Sequence, residues 1–324
     1  MPAETVTLIP FEDRTGWEAA SSGALPGQGW GHAAGLAAGG YRPELAVVEA
    51  GGARMLLPFH RRSFRGTTDI ASLPGLSGAL IRPDSAAPLR LWAEFARDRG
   101  WVSGYVQLSP LNDALQPDPA DHIRSRNALY VFDLSTWTIA GAVRASTRRT
   151  LMAGDDIGAQ LVTDPAEIAP YFAGLQRATL ARSAQAVSFD EPALAAWFAT
   201  EDVLSLAVRL GGRIVAAQLG RVRGDWAELH LAGATAEGRP LQGWLIWQAI
   251  ERLRAQGCRF LNIGGYGTPG DGLHQMKAQL GAVEHPLRAL CQVYDAATYA
   301  RLMAETGADP EGAWFPPYRA PALR

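Results

Sequence analysis

Lysine is almost missing from this sequence. Of 30 Lys and Arg side chains, one is a lysine, Lys277, and all the others are arginine. Lysine has therefore been dropped wherever the two cations are interchangeable, and kept at a single place. Cysteine is also scarce. Cys258 and Cys291 are the only two, both in apolar stretches expected to be strands. That excludes a disulfide-stapled fold and points to reduced, buried thiols in a cytoplasmic protein. No apolar run approaches the roughly 20 residues of a membrane span, so an integral membrane protein is not expected. Charge of one sign is not in excess either. A formal net charge of −2 excludes a general nucleic-acid binder, while local arginine clusters remain able to hold phosphates. The opening residues, MPAETVTLIPFEDRTGWEAA, are acidic and broken by proline, unlike a signal peptide. Walker loops, a GxGxxG after a strand, His-Glu-x-x-His and paired-cysteine zinc spacings are all missing, so no metal and no cofactor are expected.

What is present is a repeat. A chain of 324 residues with 48% hydrophobic content suits two globular domains of about 150 residues each. LAVVEAGGARMLLPF (45–59) and LAVRLGGRIVAAQL (206–219) each read as a strand, a Gly-Gly turn and a second strand, with the glycines supplying positive φ. PLRLWAEFARDRGWVSGYVQL (88–108) then parallels PLQGWLIWQAIERLRAQGCRFLNI (240–263). Both carry Pro-Leu-x-x-Trp, an amphipathic helix, a terminating glycine and an apolar strand. In the second copy Leu241, Trp244, Leu245, Ile250 and Leu253 make one helical stripe. A tandem α+β unit accounts for this order, against chance similarity of two α/β segments. The polar stretch at 112–127 sets the expected boundary, giving domains 1–127 and 128–324. A strand ALYVFDLS should open the second half, and a helix from 165, capped by Asp164, should follow.

LNIGGYGTPGDGLHQMKAQLGA (261–282) resembles the strand, glycine loop and Phe-Lys helix of FemABX-type aminoacyltransferases. DIASLPGLSGAL (69–80), STRRTLMAGDDIGAQLV (146–162) and WFPPYR (314–319) fit the same group at matching positions. The resemblance spans nearly the whole chain. It implies a mixed α/β (α+β) fold of two tandem GNAT-like domains, each a central, mostly antiparallel sheet flanked by helices, with the catalytic motif in the second. It also implies transfer of an aminoacyl group from aminoacyl-tRNA to an amine of a peptide, cell-wall precursor or natural product. Two departures stand out. The Phe-Lys pair is Met276-Lys277 here, and the coiled helical arm of several cell-wall members is absent.

The residues themselves bear on this. Leu273, Met276 and Leu280 have helical spacing, and Lys277 lies on or beside that apolar face. Its ammonium either snorkels past the edge of the core or points into a cleft. A fixed ammonium aimed at the tetrahedral oxyanion of amide formation stabilises the transition state more than the substrate, the role the resemblance implies. Gly264, Gly265 and Gly267 either allow close approach of a ligand to the backbone or simply make a turn. With Tyr266 and Asp271, and Met276 on the helix that follows, they are the candidate substrate-binding residues, although Asp271 is also placed to cap that helix. His230, in a strand, is a candidate proton acceptor or a packed histidine. Asp69 is a candidate contact for the amine. Arg61, Arg62 and Arg65, and Arg144, Arg148 and Arg149, are clusters that either hold a tRNA or diphosphate backbone or are solvated faces; Arg148 and Arg149 gain from the resemblance.

Two rival readings remain. An acyl-CoA-dependent GNAT enzyme usually carries a Gln/Arg-x-x-Gly-x-Gly/Ala loop at a helix start, and GATAEGRPLQGW (233–244) lacks it. A non-catalytic tandem GNAT binding protein would have no reason to keep Lys277.

Overall fold

The computed structural model describes residues 4–112, 114–117, 122–181, 189–265, 270 and 272–320, without the side chains of residues 126, 140 and 142. In chain order the elements are β1 (Thr5–Pro10), α1 (Arg14–Ala20), α2 (Trp30–Ala38), β2 (Pro43–Ala50), β3 (Ala53–Phe64), β4 (Thr67–Ser72), β5 (Leu80–Arg82), α3 (Ala87–Asp98) and β6 (Ser103–Gln107). There follow β7 (His122–Asp133), α4 (Ile139–Ala142), α5 (Ala145–Asp156), β8 (Gln160–Val162), α6 (Pro165–Leu180), α7 (Glu191–Phe198), β9 (Val203–Leu210), β10 (Arg213–Arg223) and β11 (Trp226–Ala234). The chain ends with α8 (Gln242–Ala255), β12 (Phe260–Asn262), α9 (Gly272–Gln279), β13 (Val283–Val293), α10 (Ala296–Thr306) and a 3-10 turn over Pro317–Arg319.

By contacts the chain forms two compact units. The first is 1–22, 41–126 and 286–324, and the second is 23–40 and 127–285. This differs from a single cut between 127 and 128 at two places. The C-terminal segment joins the first unit because β13 pairs antiparallel with β6, Leu290 opposite Val106. Residues 23–40 join the second because α2 packs on α7, where Gly35 leaves room for the Trp197 indole.

In the first unit the strand order is β1-β2-β3-β4-β6-β13, with β5 on β3. All of these pairings are antiparallel except β4 with β6. The β2–β3 hairpin closes through Gly51 and Gly52 at φ +58° and +76°, the two left-handed positions of a type I′ turn. One sheet face meets α3 in a core built on Phe59, Trp92 and Trp101, whose rings lie 5.3–5.9 Å apart.

The second unit repeats the plan. Its order is β7-β12-β11-β10-β9-β8. The β9–β10 hairpin closes through Gly211 and Gly212 at φ +56° and +78°. A third strand, β11, a helix, α8, and a strand parallel to the third, β12, follow. The first unit has the same sequence of steps in β2, β3, β4, α3 and β6, including the parallel last pair. Leu241, Trp244, Leu245, Ile250 and Leu253 are all buried on the sheet, as their spacing predicts. Helix α6 begins at Pro165 with the Asp164 carboxylate accepting from the Ala166 N–H at 2.9 Å. Both cysteines are buried and free, although Cys258 lies just before β12 rather than within a strand.

Candidate active site

The site is built where β12 stops. Parallel pairing of β11 with β12 runs from Trp226 and Phe260 to Glu228 and Asn262. There β12 ends, while β11 continues to Ala234. A parallel pair in which one strand outruns the other leaves backbone groups at the notch that must find other partners.

They find them in the glycine loop and in Lys277. The Asn262 side-chain oxygen accepts from the Gly264 N–H at 2.9 Å. The Gly264 carbonyl accepts from the Tyr130 N–H at 3.1 Å, and the Ile263 N–H donates to the Tyr130 carbonyl at 2.9 Å. Lys277 sits in α9, only 6% exposed. Its ammonium donates to the carbonyl oxygens of Ile263 at 2.5 Å and Gly265 at 2.6 Å. The side chain runs inward to the end of β12 instead of past the edge of the core, and it does not line the cleft beside α9. A lysine ammonium is a compact, tetrahedral donor able to serve two converging carbonyls, whereas a guanidinium is a wider planar fork. Gly265 is set by close approach: a Cβ there would lie 2.4 Å from the Ala128 carbonyl oxygen and 2.4 Å from Asn127 Oδ1.

Helix α9 is held from a second side by His274, whose Nδ1 is 3.2 Å from the Tyr130 hydroxyl; that hydroxyl donates to Glu284 at 3.1 Å. Its other face opens on a cleft of about 650 Å³. Leu273 and Met276 of α9, Ser146, Thr147 and Thr150 of α5, and Arg239 with Gln242 at the start of α8 line it. The apolar stripe read from the sequence thus borders a cleft: Leu273 is 44% exposed and only Leu280 is fully in the core. One rim of that cleft is the first turn of a 14-residue helix, whose dipole favours an anionic group, although the Gln242 N–H already donates to the Arg239 carbonyl.

The other expected residues fall elsewhere. His230 is enclosed by aromatic rings, 5.2 Å from His32, 5.2 Å from Trp197 and 5.6 Å from Phe189. Burial, then the nearby His32 and Arg221, push its pKa well below 6.5. The residue itself is half-buried, with part of it open to solvent, and the lowered pKa makes it a weaker base than a free imidazole. Asp69 is fully buried in the first unit. Its Oδ1 accepts from the Tyr318 hydroxyl at 2.5 Å and the Ser103 hydroxyl at 2.8 Å, and its Oδ2 from Arg319 Nε at 2.7 Å. Fully buried and holding three donors, two of them from Tyr318 and Arg319, it anchors the WFPPYR segment. Met276 borders the cleft, and Gly264 and Gly265 form the notch. Arg148 is half-buried on α5 with its Nε lacking an acceptor among the described residues, and Arg149 is exposed. Tyr266, Gly267 and Asp271 lie outside the described residues.

Two residues escaped the sequence reading. Asn262 is fully buried, orients the glycine loop, and has its amide nitrogen without a partner among the described residues. Glu228, buried beside it in the β11–β12 register, is a carboxylate in a strand otherwise read as apolar. A charged residue inside AELHLAG was the available signal. No group of His, Cys, Asp or Glu able to hold a metal occurs among the described residues. Nor is any described helix long and apolar enough to cross a membrane.

With this geometry in place, the comparisons fall into line. Residues 141–272 match the family described as acetyltransferase (GNAT) domain. No curated protein matches the chain in sequence. FemX is 10% identical, with 92% of this chain and 99% of that one covered and a TM-score of 0.67. The L-PGS from Bacillus licheniformis is 14% identical over 90% of this chain and 95% of that one, with a TM-score of 0.62. The C-terminal domain of a putative lysylphosphatidylglycerol synthetase from Agrobacterium fabrum is 16% identical over 91% and 96%, with a TM-score of 0.61. At these identities the likeness is one of fold. The chain shares the overall fold of these proteins, and the match to the acetyltransferase (GNAT) domain lies within its second unit.

Proposed function

We propose that this chain is an aminoacyltransferase that forms an amide bond, taking an aminoacyl group from aminoacyl-tRNA and passing it to an amine of a small molecule or peptide. The amine nitrogen bonds to the ester carbonyl carbon and the carbonyl oxygen becomes an oxyanion. As this collapses, the carbon–oxygen bond to the terminal ribose breaks, and the proton lost by the amine is returned to the ribose oxygen. Lys277 is proposed to face the developing oxyanion. The observation that carries the reading is its ammonium, which is buried and held at the end of β12 by two backbone carbonyls. A cation so fixed needs no reorganisation when charge appears beside it. The cleft bounded by α5, α9 and the start of α8 is proposed to receive the donor, with Arg239 and the first turn of α8 beside its phosphate.

A second reading, transfer from acyl-CoA, is favoured by one observation: the same helix start is where a GNAT domain holds a pyrophosphate, and the domain match includes it. Against it, residues 233–244 lack the loop that wraps that group. Incubating the full chain with charged tRNAs and, separately, with acyl-CoAs decides between them. Acyl loss from charged tRNA that is accelerated by added amines is the expected result. Turnover of acyl-CoA alone overturns the tRNA assignment.

A further inference from the structure

We propose that Arg62 anchors a binding site for a small carboxylate ligand, on the sheet face of the first unit opposite its tryptophan core. This site is independent of the donor and of Lys277. On β3, His60, Arg62 and Phe64 alternate with Arg61 and Ser63 and share one face, and Arg62 lies directly opposite Asp69 of β4 in the register. Such a cross-strand pair is the ordinary place for an ion pair. Here it is not made. The Asp69 oxygens are taken by Tyr318, Ser103 and Arg319, and Arg319 also donates through Nη2 to the Arg62 backbone carbonyl at 2.7 Å.

The Arg62 guanidinium is left with two donors, Nε and Nη2, that are out of solvent and have no acceptor among the described residues. These two nitrogens form the edge of the guanidinium on which two N–H bonds run parallel, the fork that accepts a carboxylate bidentately. Its sequence neighbours are already engaged: Arg61 pairs with Glu44 at 2.5 Å, and Arg65 with Glu305 at 3.1 Å. Only one of the three arginines therefore has its fork to offer.

Charge decides what the fork takes. Arg62 and Arg319 face Asp69, which leaves one positive charge in surplus. The nearby His60, whose ring packs against Tyr41 at 4.9 Å, adds none near neutral pH. Burial, then Arg62 and Arg319, lower its pKa to about 4. One surplus charge and a planar two-donor edge suit a monoanionic carboxylate. A phosphate dianion would remain half-neutralised in a buried place, which is unfavourable. A buried, unpaired guanidinium also costs stability, and such costs persist at functional positions. Arg62 as a residue is half-buried, although these two donor atoms are not exposed.

The test uses the full chain labelled with 15N and follows the arginine Nε–H signals while acetate or inorganic phosphate is added. The Arg62 signal is identified by its loss in Arg62→Lys. Acetate should shift it saturably, and phosphate should not. Arg62→Met should melt at the same temperature as the parent or about 2 °C or more above it. No saturable response to acetate, or a stronger one to phosphate, overturns the carboxylate site. A lower melting temperature for Arg62→Met assigns the guanidinium to holding the fold together and likewise removes the proposal.

Discussion

Lys277 shows how a single side chain can be isolated by what surrounds it in composition and explained by what surrounds it in space. Its ammonium satisfies Ile263 and Gly265 carbonyls inside the second unit, so removing it has two consequences. Lys277→Met is expected to reduce turnover on the order of 100-fold or more, as loss of one oxyanion donor does. It also leaves buried acceptors unpaired, at about 1–3 kcal/mol each, which lowers the melting temperature. Lys277→Arg keeps the charge but not the shape and should recover little turnover. Turnover of Lys277→Arg within a few-fold of the parent, measured with the working donor, would sink the oxyanion assignment. At the same scale, His60 makes stability depend on pH. Its folded pKa of about 4 lies below the ordinary 6.5, so between those values the unfolded chain binds more protons than the folded one. Stability is therefore full above about pH 6.5 and falls as the pH drops toward 4. His230, lowered for the same first reason, adds to the slope. Urea titrations of His60→Gln should show a shallower fall over that window, and an unchanged slope would remove His60 as its cause.

At the scale of elements, the two Gly-Gly hairpins and the Pro-Leu-x-x-Trp helices were legible because each depends on local rules: left-handed turn positions, a helix start, a 3.6-residue stripe. The glycine loop after β12 was legible only as a loop. Whether Gly265 admits a ligand or merely turns the chain is answered by its neighbours, since the space a side chain would need is held by backbone of residue 128. Gly265→Ala should accordingly lower the melting temperature and turnover together, because the obstructing atom is a carbonyl that cannot swing aside. An alanine variant with parental melting temperature and activity would show that the loop can shift at no cost. The same limit applies to α9, whose periodicity was clear but whose apolar face borders a cleft as well as a core. Spacing states which residues share a face and says nothing of what lies opposite.

At the scale of the whole molecule, the first unit is closed by the last described residues of the chain. Tyr318 and Arg319 bind Asp69 across 249 and 250 positions of sequence, and Leu302 and Tyr318 pack with Val102. Burial and the bond to Asp69 raise the Tyr318 pKa, which keeps the phenol a donor to the carboxylate. Asp69→Ala should cost about 3–5 kcal/mol, the usual effect of stranding a buried cation, and expose the tail to proteolysis near Trp314. Tyr318→Phe removes one neutral donor and should cost far less. Equal melting temperatures for Asp69→Ala and the parent would contradict the anchoring. Sequence alone determined the repeat, the helices and hairpins, and the singularity of Lys277, because period, turn chemistry and composition are properties of neighbours along the chain. Only the tertiary structure decided that Asp69 is an anchor, that His230 lies among rings, that Lys277 points inward, and that two Arg62 donors find no acceptor among the described residues. Each of those depends on which partners arrive from distant positions to take a lone pair or a proton, and no local pattern encodes the order in which a carboxylate's few sites are filled.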